Sequence, residues 1–273
     1  MGALDIKTGK LFSNGKVVIV ACDHGEFDGP IPGMINISET ICKIDREVDG
    51  ILLSPGMIRH TRDYFMKRSA PLIIGRLNWD TVYCFQWGYQ DSPAIEAFSP
   101  EEAASLGVEI ALVSLTLKTG SEERDASNVA VFRRMTAVCH CLEMPVIGEY
   151  FPAHSDNLNA EEMYQQIKTG CRILAELGAD MIKTFYTHNF SEVVAGCPVP
   201  IFALGAAKLP TQIKALELAH KEISEGAKGV VFGRNALQVP DPIKFQSALC
   251  EVVRDGVSPE EALKKYRLKD WKL

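Results

Sequence analysis

Lys183 is the residue best placed for covalent chemistry, because it lies within an apolar, strand-like segment at residues 181–187. Alternate side chains of a strand point to opposite faces, so Lys183 shares the interior face with Met181 and Phe185. A lysine is seldom buried without a partner or a task, since removing its ammonium group from water is costly. An unprotonated amine there would condense with a ketone or an aldehyde to form an imine. The alternative is structural: a lysine that reaches solvent near the strand end, or one half of a buried ion pair.

Imine chemistry also requires groups that move protons, and two carboxylates stand at predicted strand ends. Asp23 ends the first β-branched segment and is the first candidate, and Glu149 in the fifth predicted strand is the second. Their neighbours His24 and Phe151 are predicted to contact the substrate. The structural alternative for Asp23 is a helix cap or an ion-pair partner.

The last two predicted strands end in segments that suit an anion. One strand is followed by Gly205-Ala206-Ala207-Lys208 and the other by Gly233-Arg234-Asn235. Glycines at these places let backbone N–H groups approach a bound anion, and the lysine and arginine supply positive charge. The residues predicted to bind a substrate phosphate are Gly205, Ala206, Lys208, Gly233 and Arg234. For each glycine taken alone, the alternative is an ordinary turn residue.

These residues come together only if the strand ends meet, and the pattern of the chain predicts that they do. Apolar strands alternate with helices throughout, and the segment 78–98 reads as a loop or an irregular hairpin. The predicted strands are 17–23, 50–54, 71–77, 110–117, 145–151, 181–187, 200–205 and 229–233. The predicted helices are 35–48 with Ser38 as N-cap, 57–68, one opened by Ser99, 125–142, 160–177, 190–195, 211–225, and helical segments from 242 to the end.

Eight apolar strands separated by helices in this length indicate a closed parallel sheet, so we predict an α/β fold, a (β/α)₈ TIM barrel, with residues 1–273 as one domain. Reactive groups in such a barrel gather at the carboxyl ends of the strands, where the candidates above fall. A doubly wound open sheet is the alternative. It is disfavoured because no Gly-x-Gly-x-x-Gly turn follows the first strand.

Composition narrows the possible partners. The chain has 273 residues, 47% of them hydrophobic, and a net charge of −6, which argues against nucleic acid and anionic membrane surfaces. No apolar run has the length of a signal peptide or a membrane span, so we expect a cytoplasmic protein. The eight cysteines are scattered without a Cys-x-x-Cys pair and are predicted to be reduced.

Several motifs together resemble the archaeal-type class I fructose-bisphosphate aldolases and their relatives. They are Asp23-His24-Gly25 with Gly29-Pro30, the run from Ile182 to Thr187, Gly196 to Pro200, Lys208-Leu209-Pro210, and Gly233 to Gln238. The resemblance covers nearly the whole chain. It implies that Lys183 is the Schiff-base lysine, that Asp23 is a catalytic carboxylate and that the protein is a homo-oligomer, often of ten subunits.

Two departures from the family pattern leave the substrate open. On the fifth strand the family carries a tryptophan and, two residues later, a tyrosine proton donor, whereas this chain has Glu149 and Phe151. Phenylalanine cannot transfer a proton, and Tyr150 is predicted to point to the opposite face, so Glu149 is the replacement acid/base. Ala206 replaces a second glycine in the phosphate loop, and its methyl group would crowd a close phosphate unless it is tolerated.

The leading functional prediction is a lyase that cleaves a phosphorylated ketose reversibly through an imine on Lys183, without a cofactor. A transferase of the thiolase or transaldolase kind, using the same lysine, is the second possibility, because related branches include a phospho-sugar thiolase and an aminodideoxyheptulosonate synthase. The third is a barrel that binds sugar phosphate without turnover. A metal-dependent aldolase is a further alternative, since His24, His154 and His188 fall near strand ends.

Overall fold

The computed structural model describes residues 2–269 and contains a closed barrel of eight parallel strands. The strands are β1 Val17–Ala21, β2 Gly50–Leu53, β3 Leu72–Arg76, β4 Asn78–Asp80, β5 Ala94–Glu96, β6 Ile110–Leu115, β7 Val146–Tyr150, β8 Met181–Phe185, β9 Ile201–Leu204 and β10 Gly229–Phe232. Around the barrel the order is β1, β2, β3, β6, β7, β8, β9, β10 and back to β1, every pair parallel. The predicted TIM barrel is therefore confirmed.

Helices connect successive strands and cover the outside of the barrel. They are α1 Ala3–Leu11, α2 Gly25–Asp28, α3 Ile37–Ile41, α4 Pro55–Phe65, α5 Pro100–Ser105, α6 Glu122–Cys141, α7 Ala160–Glu176, α8 Phe190–Ala195, α9 Gln212–Ser224, α10 Arg234–Leu237, α11 Pro242–Asp255 and α12 Pro259–Lys265. Within residues 2–269, none of them has both the length and the apolar character needed to cross a bilayer. The last four residues, to which the predicted terminal helix extended, lie outside the described part.

Side chains fill the part of the barrel toward the amino-terminal ends of the strands, so this part is a packed core and not a channel. The interior layer consists of apolar side chains contributed by every strand of the barrel: Val17, Ile19, Ala21, Leu52, Ile74, Ile110, Leu112, Ile147, Met181, Phe202 and Val231. Helix α1, which the sequence pattern does not predict, covers the amino-terminal end of the strands. Its Leu11 is fully buried in this layer, and the following Phe12 packs on Phe202 with ring centroids 5.8 Å apart.

The predicted helix 35–48 is wrong in length and in its N-cap. The helix runs only from Ile37 to Ile41, and the cap is Asn36, whose side-chain oxygen accepts hydrogen bonds from the N–H groups of Ser38 and Glu39. Beyond it the chain is held by a tertiary contact, since the Asp45 N–H donates to Gln246 of α11 at 2.8 Å. A local pattern cannot anticipate a partner 201 residues away.

The segment after β3 forms the irregular hairpin that its sequence predicts. Strands β4 and β5 pair antiparallel, with Trp79 opposite Ile95, and a 3₁₀ turn at Thr81–Tyr83 follows β4. The hairpin leans over the carboxyl end of the barrel, where the Trp79 indole N–H donates to the Glu26 carbonyl and that of Trp87 donates to the Phe27 carbonyl. It therefore forms one wall above the strand ends.

Candidate active site

Lys183 points into the barrel and lies against Glu149 of the neighbouring strand. The two residues are paired in register across β7 and β8, which brings the lysine Nζ to 2.7 Å from the Glu149 Oε1. Both side chains are buried, with Lys183 only 7% exposed. Tyr150 points outward as predicted and packs against Gly170 of α7, whose missing side chain makes room for the ring. The period of the strand thus places amine and carboxylate on one face.

Arg76 of β3 joins the two candidate carboxylates across the barrel. Its Nε donates to Asp23 Oδ2 at 2.6 Å and its Nη2 donates to Glu149 Oε2. The guanidinium also lies over the rings of Tyr83 and Phe27, at 4.6 and 5.2 Å from their centroids. Asp23, Arg76, Glu149 and Lys183 form a buried charged cluster with two positive and two negative groups.

The cluster holds its carboxylates in the ionised form. Burial alone would raise the pKa of Asp23, but the charges of Arg76 and Lys183 outweigh burial and lower that pKa from 3.8 to about 2. Burial likewise opposes ionisation of Glu149, and the same two cations bring its pKa below the ordinary value. At neutral pH both groups are therefore proton acceptors.

His24 lies next to Asp23 with its Nδ1 3.8 Å from a carboxylate oxygen. Burial lowers the pKa of this imidazole from 6.5 to about 4, so the ring is neutral at pH 7. A Cβ on Gly233 would overlap the His24 ring and come within 2.9 Å of the Ala21 carbonyl oxygen. Gly233, which follows β10, is therefore required because a larger residue would clash with His24. This packing reason is independent of any ligand that the Gly233 N–H contacts.

Gly205, which follows β9, is required for a similar packing reason. A side chain there would meet the Phe232 ring at 2.8 Å. Beyond it, Asn235 clamps the loop: its Nδ2 donates to the carbonyls of Gly205 and Ala207, and its Oδ1 accepts from the Leu209 N–H. The local sequence does not indicate this role of Asn235, because its partners lie 26 to 30 residues earlier.

The loop between β9 and α9 leaves donors free for a ligand. Within residues 2–269 the N–H groups of Ala206 and Ala207 donate to no protein acceptor, and the buried Nε of Arg234 has no partner. Another nitrogen of the Arg234 guanidinium holds the side chain in place: Nη2 donates to the Ala206 carbonyl at 3.0 Å. Lys208 follows these residues but is not part of the cavity lining, and burial lowers its pKa. Its predicted contact with phosphate stays a prediction.

Ala206 has a φ of 48°, in the left-handed region that glycine tolerates best. We expect Ala206→Gly to raise the free energy of unfolding by about 1 kcal/mol, because relief of the strained backbone outweighs the added freedom of the unfolded chain. Urea-induced unfolding measures the change. The neighbouring Ala207→Gly, where φ is not positive, is the matched control and should lower stability; equal effects of the two substitutions would contradict the strain.

Aromatic rings form the opposite side of the site. Phe27, Tyr83, Phe151 and Phe185 pack in sequence, with successive centroids 4.8, 4.7 and 4.8 Å apart, and Phe85 lies 6.1 Å from Phe151. We call these five residues the aromatic wall. Burial raises the pKa of Tyr83 well above 10, so its phenol stays protonated. The sequence gives no signal for Tyr83 in the site, and it places Arg76 among the polar residues at the predicted strand ends without a role.

The charged cluster, the aromatic wall and the β9 and β10 loops enclose one cavity of about 430 Å³ at the carboxyl end of the strands. Its lining includes Asp23, His24, Glu149, Phe151, Lys183, Gly205, Ala206, Gly233 and Arg234, so the structure brings together every predicted site residue except Lys208. Among residues 2–269, no three histidine, cysteine or acidic side chains cluster as metal ligands would. His188 instead contacts Glu161 at 3.2 Å.

Fold and cavity define a TIM-barrel protein with a lysine at the centre of its pocket, and comparison with known proteins gives its family. The DeoC/LacD family aldolase model matches residues 17–239, so the chain belongs to the DeoC/LacD aldolase family. This confirms, at family level, the resemblance seen in the motifs.

Three individual proteins illustrate the relationship. An uncharacterized aldolase of Saccharolobus solfataricus is 28% identical over 265 residues, covering 95% of this chain and 97% of the relative. The 3-hydroxy-5-phosphonooxypentane-2,4-dione thiolase of Escherichia coli K12 is 29% identical over 272 residues, 97% of this chain and 88% of the thiolase. The structure of an archaeal fructose-1,6-bisphosphate aldolase with its catalytic lysine bound to a carbinolamine intermediate has a TM-score of 0.79 and 28% identity, covering 92% of this chain and 99% of the other.

Proposed function

We propose that this protein is a Schiff-base-forming aldolase that reversibly cleaves a phosphorylated ketose through an imine on Lys183, in the manner of the fructose-1,6-bisphosphate aldolase it resembles. The observation that carries the proposal is the 2.7 Å contact between the Lys183 amine and Glu149, inside a cavity bordered by backbone N–H groups that donate to no acceptor among residues 2–269. The solved relative with a lysine-bound carbinolamine supports the same chemistry.

Imine formation assigns a task to Glu149. The carboxylate takes a proton from the Lys183 ammonium, and the neutral amine then attacks the ketone carbon. Glu149 returns this proton to the oxygen of the adduct, which gives the carbinolamine, and then relays a second proton from the attached nitrogen to the same oxygen. The oxygen leaves as water, and the iminium remains. Because Arg76 holds the second oxygen of Glu149, the carboxylate stays aimed at the lysine through both transfers.

Cleavage of the carbon–carbon bond gives the second carboxylate, Asp23, its proposed role. A base removes the proton of the hydroxyl on the carbon that becomes the aldehyde. The carbon–carbon bond then breaks, the aldehyde leaves, and the bonding electrons move toward the iminium nitrogen to form an enamine. Asp23, ionised and fixed by Arg76 at 2.6 Å, is the proposed base. Protonation of the enamine and addition of water then release the ketone and restore the amine, so the net reaction is one carbon–carbon cleavage.

The phosphate of the substrate is proposed to bind between the β9 and β10 loops. In the described part of the chain, Arg234 lines this end of the cavity with its buried Nε unpartnered, and the N–H groups of Ala206 and Ala207 are without protein acceptors. Backbone N–H groups and an arginine are the usual ligands of phosphate at this end of a barrel. Gly205 and Gly233 keep the backbone close, and His24 is proposed to contact substrate hydroxyls.

A transferase using the same lysine is the second candidate, since a named relative is a thiolase that covers nearly the whole chain. It would differ at the cleavage step and would need a substrate with a second carbonyl group: the thiol of coenzyme A adds to that carbonyl, the carbon–carbon bond breaks, and the fragment leaves as a thioester. Product analysis with and without coenzyme A separates the two reactions. A coenzyme A-dependent product would assign the transferase.

The imine is tested by reduction with borohydride in the presence of dihydroxyacetone phosphate and a panel of ketose phosphates. We expect a mass increase confined to the peptide that contains Lys183. The same treatment without sugar phosphate is the control. If no member of the panel leaves an adduct, the protein is a sugar-phosphate-binding barrel without turnover, and the aldolase proposal is wrong.

A further inference from the structure

The two ends of the cavity differ sharply in charge, which bears on the half of the substrate that leaves as an aldehyde. Around the barrel, Lys183 on β8 lies between the β9 and β10 loops on one side and the aromatic wall on the other. Any ketose bound as an imine extends in both directions from this lysine. The phosphorylated half is proposed to point to Arg234, so the other half points to the aromatic rings.

The cationic groups of the lining are sufficient for one phosphate only. Within the charged cluster two cations and two carboxylates balance, since Arg76 contacts Asp23 and Glu149, and Lys183 contacts Glu149. Of the lining residues outside the cluster, Arg234 is positive while Asp28 and Asp156 are acidic. A second phosphate on the aromatic side of Lys183 would therefore find no cation of the lining outside the charged cluster.

The aromatic wall offers that second half an apolar surface. Phe185 ends β8 two residues after Lys183, and Phe151 directly follows β7 two residues after Glu149; both line the cavity next to the reacting groups. Phe85 lines the cavity while 52% exposed. Trp87 and Tyr89 of the same hairpin do not line the cavity, but they are also exposed and stack on each other with ring centroids 6.1 Å apart. Large apolar side chains that line a cavity and reach its opening form a surface that binds an apolar group.

We infer that the substrate carries a single phosphate and that its aldehyde half is uncharged and apolar, aliphatic or aromatic, held by Phe85, Phe151 and Phe185. This inference rests on the proposed aldolase function. In the synthetic direction, the enamine carbon forms its new bond with the carbonyl carbon of the apolar aldehyde, whose oxygen takes up a proton and becomes the hydroxyl. Phe151, which replaces the family's tyrosine, is here a residue that determines specificity.

The test uses the wild-type protein and dihydroxyacetone phosphate with two acceptors, phenylacetaldehyde and glyceraldehyde 3-phosphate. We expect kcat/KM for phenylacetaldehyde to exceed that for the phosphorylated aldehyde at least about tenfold, a difference of about 1.4 kcal/mol. An equal or higher value for glyceraldehyde 3-phosphate overturns the inference. Borohydride trapping in the same samples distinguishes the failures: an adduct on Lys183 with the wrong preference overturns only the inference, whereas no adduct overturns the proposed function and the inference together.

A single variant tests the role of the wall. Phe85→Lys places a cation at the partly exposed mouth, where the change is compatible with folding, and should shift the preference about tenfold toward glyceraldehyde 3-phosphate. Ile95→Lys is the matched control, because Ile95 is 55% exposed on β5 of the same hairpin but does not line the cavity. We expect its ratio of kcat/KM values to stay within about twofold of wild type. Equal ratios in the two variants would overturn the assignment of Phe85.

Discussion

Lys183→Arg should abolish imine formation and reduce aldol cleavage by about 10⁴-fold or more, because a guanidinium does not condense with a carbonyl at neutral pH. The substitution keeps the positive charge beside Glu149 and therefore separates chemistry from electrostatics. If Lys183 served only as the cation that balances Glu149, the variant would retain substantial activity. Steady-state cleavage rates and the mass of the borohydride-treated protein measure both effects.

Two further variants make the result interpretable. Lys214→Arg carries the same substitution at an exposed position of α9, in a surface ion pair with Glu217, and should be as active as wild type. Lys183→Met removes the charge as well, so it should lose activity and also stability, which urea-induced unfolding would show. Retention of more than about a tenth of wild-type activity in Lys183→Arg would contradict an imine on this residue.

Arg76→Met should lower the free energy of unfolding by about 3–5 kcal/mol at pH 7, because it leaves two carboxylates buried without their shared partner. In the native protein the pKa of Asp23 is about 2, against 3.8 for the ordinary group. The paired carboxylate therefore stabilises the fold above about pH 4, and this contribution is lost as the pH falls toward 2. In the variant the pKa of Asp23 and Glu149 should rise, so its stability deficit should shrink as the pH is lowered from 7 to 5.

The matched control is Arg134→Met, which breaks an exposed ion pair with Glu96 at 3.1 Å and should cost less than about 1 kcal/mol with little pH dependence. Arg76→Lys, which keeps the charge but cannot contact both carboxylates, should recover part of the stability and little of the activity. A deficit that grows as the pH falls would show that the carboxylates are not the source of the instability.

Sequence patterning predicts the barrel because its strands are mainly apolar and because several helices have a recognisable start, such as Ser99 and Pro100 at α5. The period of two also places Lys183 and Glu149 on the interior face and Tyr150 on the outside, as the structure confirms. Local patterns do not say which distant strands meet across the barrel, so the bridging contacts of Arg76 could not be predicted. They link residues 53 and 73 positions apart.

Other features escaped prediction for different physical reasons. Tyr83 lies in a segment without hydrophobic period, so its approach to Phe151 depends on how the hairpin folds back. The left-handed backbone of Ala206 follows from the loop's contacts with Arg234 and Asn235, since alanine itself disfavours that conformation. Gly205 and Gly233 were predicted for an anion, yet their nearest constraints are the rings of Phe232 and His24.

Helix α1 closes the amino-terminal end of the barrel, with Leu11 fully buried among the interior side chains and Lys7 Nζ donating to the Glu143 carbonyl at 2.9 Å. Among residues 2–269, the pocket at the opposite end therefore has one opening, at the carboxyl ends of the strands. Two reactants that share it must enter and depart in sequence, and the fragment that is not attached to the lysine must leave first. Product-inhibition kinetics should accordingly follow an ordered scheme, with the aldehyde released before the ketone phosphate.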